Sequence, residues 1–171
     1  MFLSVTDALT GLGNRWQFDR RLREEIARAR REETPLSLII TNVDRFKRVN
    51  DAYGYRAADR VLRTLAGVLR AAFRETDVLC RCGGDVFAVI APQTTLSAAR
   101  LLAERSREQV SATLMPTPWP ALRITLSIGA SSWRATDGTR DLEVVRRAGD
   151  SLYLARREGR TDEPVTQCQN W

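Results

Sequence analysis

Apolar residues follow two rhythms along this chain, one stepping by threes and fours and one in short unbroken runs. Between residues 15 and 33, Phe18, Leu22, Ile26 and Ala29 share one stripe of an amphipathic helix. Pro35 closes that stretch. Residues 36–43 (LSLIITNV) form a continuous apolar, β-branched run, which predicts a central strand buried on both faces. A polar segment with Asn50, Asp51 and Gly54 precedes a second helical pattern over 58–73, carried by Val61, Leu62, Leu65, Val68 and Leu69. Residues 78–82 and 85–91 read as strands joined at Gly83-Gly84, a hairpin signal, and Pro92 stops the second. Residues 96–110 predict a third helix with Ser97 as candidate cap. A Pro-rich loop at 115–120 then leads to a strand at 123–132. The last helix spans 142–157, with Gly159 placed to end it.

This order predicts an α/β sandwich: a ferredoxin-like βαββαβ core with additions, its central mixed sheet flanked by helices. A chain of 171 residues with 43% hydrophobic and 28% charged residues suits one globular domain. The expected layout is a lead-in segment or linker over 1–14, the domain over 15–160 and a polar tail over 161–171. No apolar run reaches the roughly 20 residues that span a bilayer. The N-terminus lacks a basic n-region and meets Asp7 too early for a secretory signal. The expectation is a cytoplasmic protein without a membrane partner.

The chain has no histidine, which excludes His-based triads, HExxH zinc sites and imidazole acid–base chemistry. Cys80, Cys82 and Cys168 are an odd number with no zinc-knuckle spacing, and the first two lie in an apolar stretch, as buried reduced thiols do. Net charge is +6, and Lys47 is the only lysine among 27 basic residues. An arginine bias suits oxyanion recognition by the guanidinium fork, and it equally follows from a GC-rich genome. The arginines alternate with acids, as in RRLREEIARARREE, instead of forming a stripe with interleaved aromatics, so no nucleic-acid partner is expected.

Two places concentrate chemistry. Asn42-Val43-Asp44 ends the first strand and runs into Phe46-Lys47-Arg48-Val49-Asn50-Asp51, and Gly83-Gly84-Asp85 turns the hairpin. An acidic residue at a strand end facing another on a hairpin is one way to hold two divalent ions, and glycines let backbone approach a phosphate. Taken singly, each reads first as a solvated turn or an ordinary hairpin.

Five segments in order carry more. Residues 7–15 (DALTGLGNR), residues 42–51 (NVDRFKRVND) with Gly54 and Asp59 following, residues 81–87 (RCGGDVF), Ser127-Ile128-Gly129, and residues 148–156 (AGDSLYLAR) together resemble the GGDEF domain, the catalytic module of diguanylate cyclases, over nearly the whole chain. The resemblance implies a nucleotidyl-cyclase palm. Two GTP-loaded domains would face each other, each 3′-hydroxyl attacking the other's α-phosphate to give cyclic di-GMP and pyrophosphate, with two Mg²⁺ ions neutralising charge. It places Gly83, Gly84 and Asp85 in the catalytic turn, Asn50 and Asp59 on guanine, and Lys47, Arg156 and Arg160 on the terminal phosphates. Arg156 and Arg160 are four apart, on one side of a helix end. Arg74-Glu75-Thr76-Asp77 matches the family's inhibitory RxxD site, where Arg74 and Asp77 would bind cyclic di-GMP with Arg81 assisting. RxxD by itself commonly means a surface ion pair. An upstream sensory domain or other protein partner is expected, with the isolated domain a monomer or weak homodimer. The loop around Trp119 and the tail with Trp171 are candidate partner faces.

The departures from the family fall on the metals. Asn42 stands where the family carries a ligating aspartate, Val86 where glutamate is usual, and Tyr55 where histidine is usual. A neutral amide oxygen is a poor partner for a hard cation. Losing one charge-assisted contact of roughly 3 kcal/mol slows a step about a hundredfold. Asp85 remains, and Asp44 shares a strand face with Asn42, which makes it a candidate substitute ligand. The expectation is a degenerate signature without cyclase activity: a regulatory or interaction module binding cyclic di-GMP and GTP, with Mg²⁺ only if nucleotide binding or activity is retained. The alternatives are a working cyclase and an interaction domain that binds no nucleotide.

Overall fold

A computed structural model describes residues 4–116 and 122–158. The elements are α1 (Arg15–Glu32), β1 (Leu36–Val43), α2 (Phe46–Ala72), β2 (Val78–Gly83), β3 (Val86–Pro92), α3 (Leu96–Ala112), β4 (Leu126–Ser132), a 3₁₀ turn (Ala135–Asp137) and α4 (Asp141–Glu158). The four strands lie in the order β2-β3-β1-β4. Every neighbouring pair is antiparallel, not mixed as the sequence suggested. The hairpin accounts for this: it returns β3 between β1 and β2, so each strand meets only neighbours of opposite sense.

All eight residues of β1 are buried, because helices cover both faces of the sheet. On one face Ile39, Val43, Phe87, Val89 and Leu126 pack against Val61, Leu62, Leu65 and Leu69 of α2 and Ala99, Ala103 and Val110 of α3. On the other, Leu38, Ile40, Ala88 and Ile90 pack against Phe18, Leu22 and Ile26 of α1 and Val144, Ala148 and Leu152 of α4. The period-two alternation of β1 and β3 thus splits one apolar run between two cores. At Gly129 a Cβ would stand 2.2 Å from the Ala148 carbonyl oxygen and 2.3 Å from the Leu152 nitrogen, so glycine sets how closely β4 and α4 approach.

Three boundaries differ from the sequence reading. The polar stretch after β1 is helical from Phe46, and Gly54 (φ 78°, ψ 166°) breaks α2 into two segments. Its one strongly buried side chain before the break, Val49, gives too little periodicity to signal a helix. The α3 cap is Thr95, whose hydroxyl accepts from the Ala98 N–H, in place of Ser97. The lead-in segment is packed: Asn14 caps α1 through the Gln17 N–H, and Gly13 bridges to Cys80 on the free edge of β2. Gly159, Arg160, Cys168 and Trp171, as well as Trp119, lie outside the described residues.

Candidate functional site

The hairpin between β2 and β3 turns at Gly84-Asp85. Gly83 (φ 146°) and Gly84 (φ 49°) occupy backbone conformations that favour glycine, and the register skips between Arg81 and Gly83. The Val43 N–H donates to the Asp85 carbonyl at 3.2 Å, fastening the turn to the end of β1. That places Asn42 beside Asp85. The contact is specific: Asn42 Nδ2 donates to Asp85 Oδ2 at 2.9 Å. Asn42 is 4% exposed, and its Oδ1 is buried without a hydrogen-bond partner. Val86, the cross-strand neighbour of Asn42, is buried in the α1–α4 core and offers no donor atom.

Asp44 turns toward β4. Its carboxylate accepts from the Thr125 hydroxyl at 2.7 Å and the Ser127 hydroxyl at 2.6 Å, while its N–H donates to the Thr125 carbonyl at 2.9 Å. No local pattern signals these hydroxyl partners, although Ser127 belongs to the Ser127-Ile128-Gly129 segment. Among the described residues, no three Asp, Glu, Cys or His side chains converge to hold a metal ion. The donor set does not fit the implied magnesium pair. It joins one carboxylate to a neutral amide, whose N–H already occupies Asp85 Oδ2. Turning the amide over would set two oxygens about 2.9 Å apart, a spacing that calls for a cation, but with one anionic ligand between them.

The nucleotide candidates line the surrounding elements. Lys47 is exposed on the first turn of α2, and Asn50 and Asp59 are half-buried on either side of the Gly54 break. Arg156 is buried on α4 at 7% exposure.

Arg74 and Asp77 form a closed turn between α2 and β2. The Arg74 N–H donates to Asp77 Oδ2 at 2.9 Å, and the Asp77 N–H returns to the Arg74 carbonyl at 3.0 Å. Arg74 is exposed, whereas Asp77 is buried with its Oδ1 unpartnered. Burial pushes the Asp77 carboxyl above its ordinary value, opposed by the Arg74 N–H and charge. The turn borders a cleft of about 470 Å³ whose far wall is α1, with Arg21, Glu25 and Arg28. Arg81 is committed elsewhere: its Nη1 donates to both Asp7 oxygens at 3.1 Å and its Nε to the Gly84 carbonyl at 2.8 Å. Burial raises the Cys80 thiol to about 12 and also raises Cys82, as expected of unreactive thiols. No helix among the described residues is long and apolar enough to cross a membrane.

Comparison with known proteins bears on the family and the fold. The family described as "Diguanylate cyclase, GGDEF domain" matches residues 4–162. Diguanylate cyclase DgcP of Pseudomonas aeruginosa is 40% identical over 157 residues, covering 92% of this chain and 23% of that protein. Diguanylate cyclase SiaD of the same organism, solved in complex with its activator SiaC, is 38% identical with a TM-score of 0.86, over 91% of this chain and 59% of that one. The GGDEF domain of DgcB from Caulobacter crescentus, solved in complex with c-di-GMP, is 30% identical with a TM-score of 0.86, over 94% and 95%. The chain spans 23% of DgcP and 54% of DgcS from Shewanella oneidensis, so it matches one part of such relatives. The likeness in fold to solved GGDEF domains and the family match over residues 4–162 lead to one conclusion: this chain belongs to the GGDEF domain family of diguanylate cyclases.

Proposed function

We propose that this domain serves cyclic di-GMP signalling in the cytoplasm as a GTP- and cyclic di-GMP-binding regulatory module whose condensation step is disabled. The observation that carries the reading is the Asn42–Asp85 hydrogen bond. It gives one Asp85 oxygen a neutral donor, where two carboxylates would demand a cation. A hydrogen bond to a charged group contributes about 1.5–3 kcal/mol, which a metal must replace before it gains anything.

Asn50 and Asp59 hold the guanine edge of GTP, and Lys47, Arg156 and Arg160 hold its phosphates. Cyclic di-GMP occupies the RxxD turn: the unpartnered Asp77 oxygen accepts from a guanine N–H, and exposed Arg74 reaches phosphate or the Hoogsteen edge. DgcB was solved with c-di-GMP and SiaD with a protein activator, which makes both kinds of partner reasonable for a relative of this similarity. The isolated domain is a monomer or a weak homodimer.

The relatives favour a second reading. Proteins 38–40% identical are named diguanylate cyclases, and a working cyclase fits their names better than a silent one. Incubating the purified protein with GTP and excess Mg²⁺ or Mn²⁺, and measuring cyclic di-GMP by chromatography, separates the two. Steady turnover establishes the cyclase and removes the disabled centre. Calorimetric titration with cyclic di-GMP then tests the receptor role: binding abolished in Arg74→Ala supports it, and absence of heat with either nucleotide leaves only an interaction surface.

A further inference from the structure

We propose that Arg81 is a positioning residue for the Gly84-Asp85 turn: with Asp7 as its fixed counter-charge, it sets where the Asp85 carboxylate stands. The inference rests on the reading of that turn as part of the nucleotide site, and it gives Arg81 a role other than the RxxD contact expected from sequence.

The turn needs such a tie. Two consecutive glycines with positive φ, next to a register skip, leave the backbone of residues 83–85 with little intrinsic preference. On the β1 side, the Val43 N–H bonded to the Asp85 carbonyl holds it. On the β2 side, Arg81 does so, through its Nε bond to the Gly84 carbonyl at 2.8 Å. A guanidinium bonded through one nitrogen would swing. This one is fixed at its other end, where Nη1 donates to both oxygens of Asp7 at 3.1 Å.

Asp7 is itself immobilised. Its Oδ1 accepts from the Thr10 N–H at 2.9 Å and the Thr10 hydroxyl at 2.7 Å. Those bonds and the Arg81 charge hold its carboxyl below the ordinary value despite burial, so it stays ionised at neutral pH. The lead-in segment is in turn laid on β2, with the Gly13 N–H donating to the Leu79 carbonyl at 3.2 Å and the Arg81 N–H to the Gly13 carbonyl at 2.8 Å. The side chains of Arg81 and Asp7 are 15% and 21% exposed, so water competes weakly for the pair. Residues 74 positions apart in sequence thus form one brace between the lead-in segment and the hairpin turn. A planar fork with separate donors suits this double contact better than an ammonium.

Amide hydrogen exchange by NMR on the whole chain tests the brace without any ligand. In Arg81→Ala the Val43 amide, whose acceptor is the Asp85 carbonyl, exchanges about tenfold faster, while the Val145 and Leu152 amides of α4 hold within about twofold. Asp7→Asn gives a smaller acceleration, and that acceleration disappears when it is combined with Arg81→Ala, as members of one unit require. An unchanged Val43 amide, a uniform acceleration across α4, or full additivity of the two substitutions overturns the proposal. GTP titration separates this idea from the site reading. If the wild-type protein binds GTP, Arg81→Ala weakens it about tenfold and Arg146→Ala, at an exposed ion pair of α4, does not. If the wild type binds no GTP, the nucleotide reading fails, and the exchange data alone decide the brace.

Discussion

Replacing Asn42 with aspartate tests the site most directly, because it exchanges a hydrogen bond for a repulsion at a known distance. In Asn42→Asp the 2.9 Å contact with Asp85 becomes one between two carboxylates. The lost bond to a charged acceptor costs about 1.5–3 kcal/mol. Two charges about 4 Å apart repel by about 4 kcal/mol at an effective dielectric of 20, and half-exposed Asp85 reduces that by admitting water. A net loss of about 2–4 kcal/mol in chelator at pH 8 follows, lowering Tm by about 5–15 °C in a domain of this size. Two conditions restore the variant relative to the wild type. Divalent cation at a hundred times its Kd returns about 2.7 kcal/mol. Acid does likewise: the crowded pair raises one carboxyl above its unfolded value of about 3.9, so the folded state binds that proton more tightly and gains stability as pH falls through the raised value. Differential scanning calorimetry with chelator, with 10 mM-scale Mg²⁺ (about a hundredfold over a weak site) and across pH makes the comparison. An Asn42→Asp protein as stable as wild type in chelator, or an equal Mg²⁺ shift in both, refutes the account of the Asn42–Asp85 bond.

Three further outcomes are expected. Gly129→Ala forces α4 off β4, since the new methyl meets backbone at 2.2 Å; a loss of about 3 kcal/mol, read as a Tm drop of about 6–12 °C, is expected, and an unchanged Tm contradicts the packing. Asp77 has a folded-state pKa raised by burial, so protonation favours the native state, and this contribution is lost as pH rises through the folded value. Asp77→Asn keeps an acceptor for the Arg74 N–H, and urea unfolding therefore shows it at least as stable as wild type near pH 7, the difference shrinking in acid while cyclic di-GMP binding weakens. Cys80, pushed up to about 12, stays unmodified by iodoacetamide at pH 8 in the native protein and reacts after unfolding, with mass spectrometry as the readout.

Local pattern was enough for most of the architecture. The all-apolar run of β1, the three-and-four spacing of α1 and the glycine pair of the hairpin are decided by neighbours within a turn or a pleat, so they could be read in one dimension. The start of α2 could not, because its residues before Gly54 bury mainly Val49, too few apolar positions to set up a helical period. Strand order also lay beyond local rules: whether β3 pairs with β1 is settled by which faces must be covered, not by any residue in β3 alone.

The site divides along the same line. The sequence by itself determined the chemical inventory: an amide at 42, a carboxylate at 85, valine at 86, an RxxD turn before the hairpin. Composition cannot say where those groups point. Only the tertiary structure turned Asp44 to the hydroxyls of Thr125 and Ser127, set the Asn42 amide on Asp85, and drew Arg81 to Asp7 across 74 positions of chain. Hydrogen bonds act over about 3 Å, and whether two groups come that close depends on how the sheet and its covering helices pack, not on their separation along the chain.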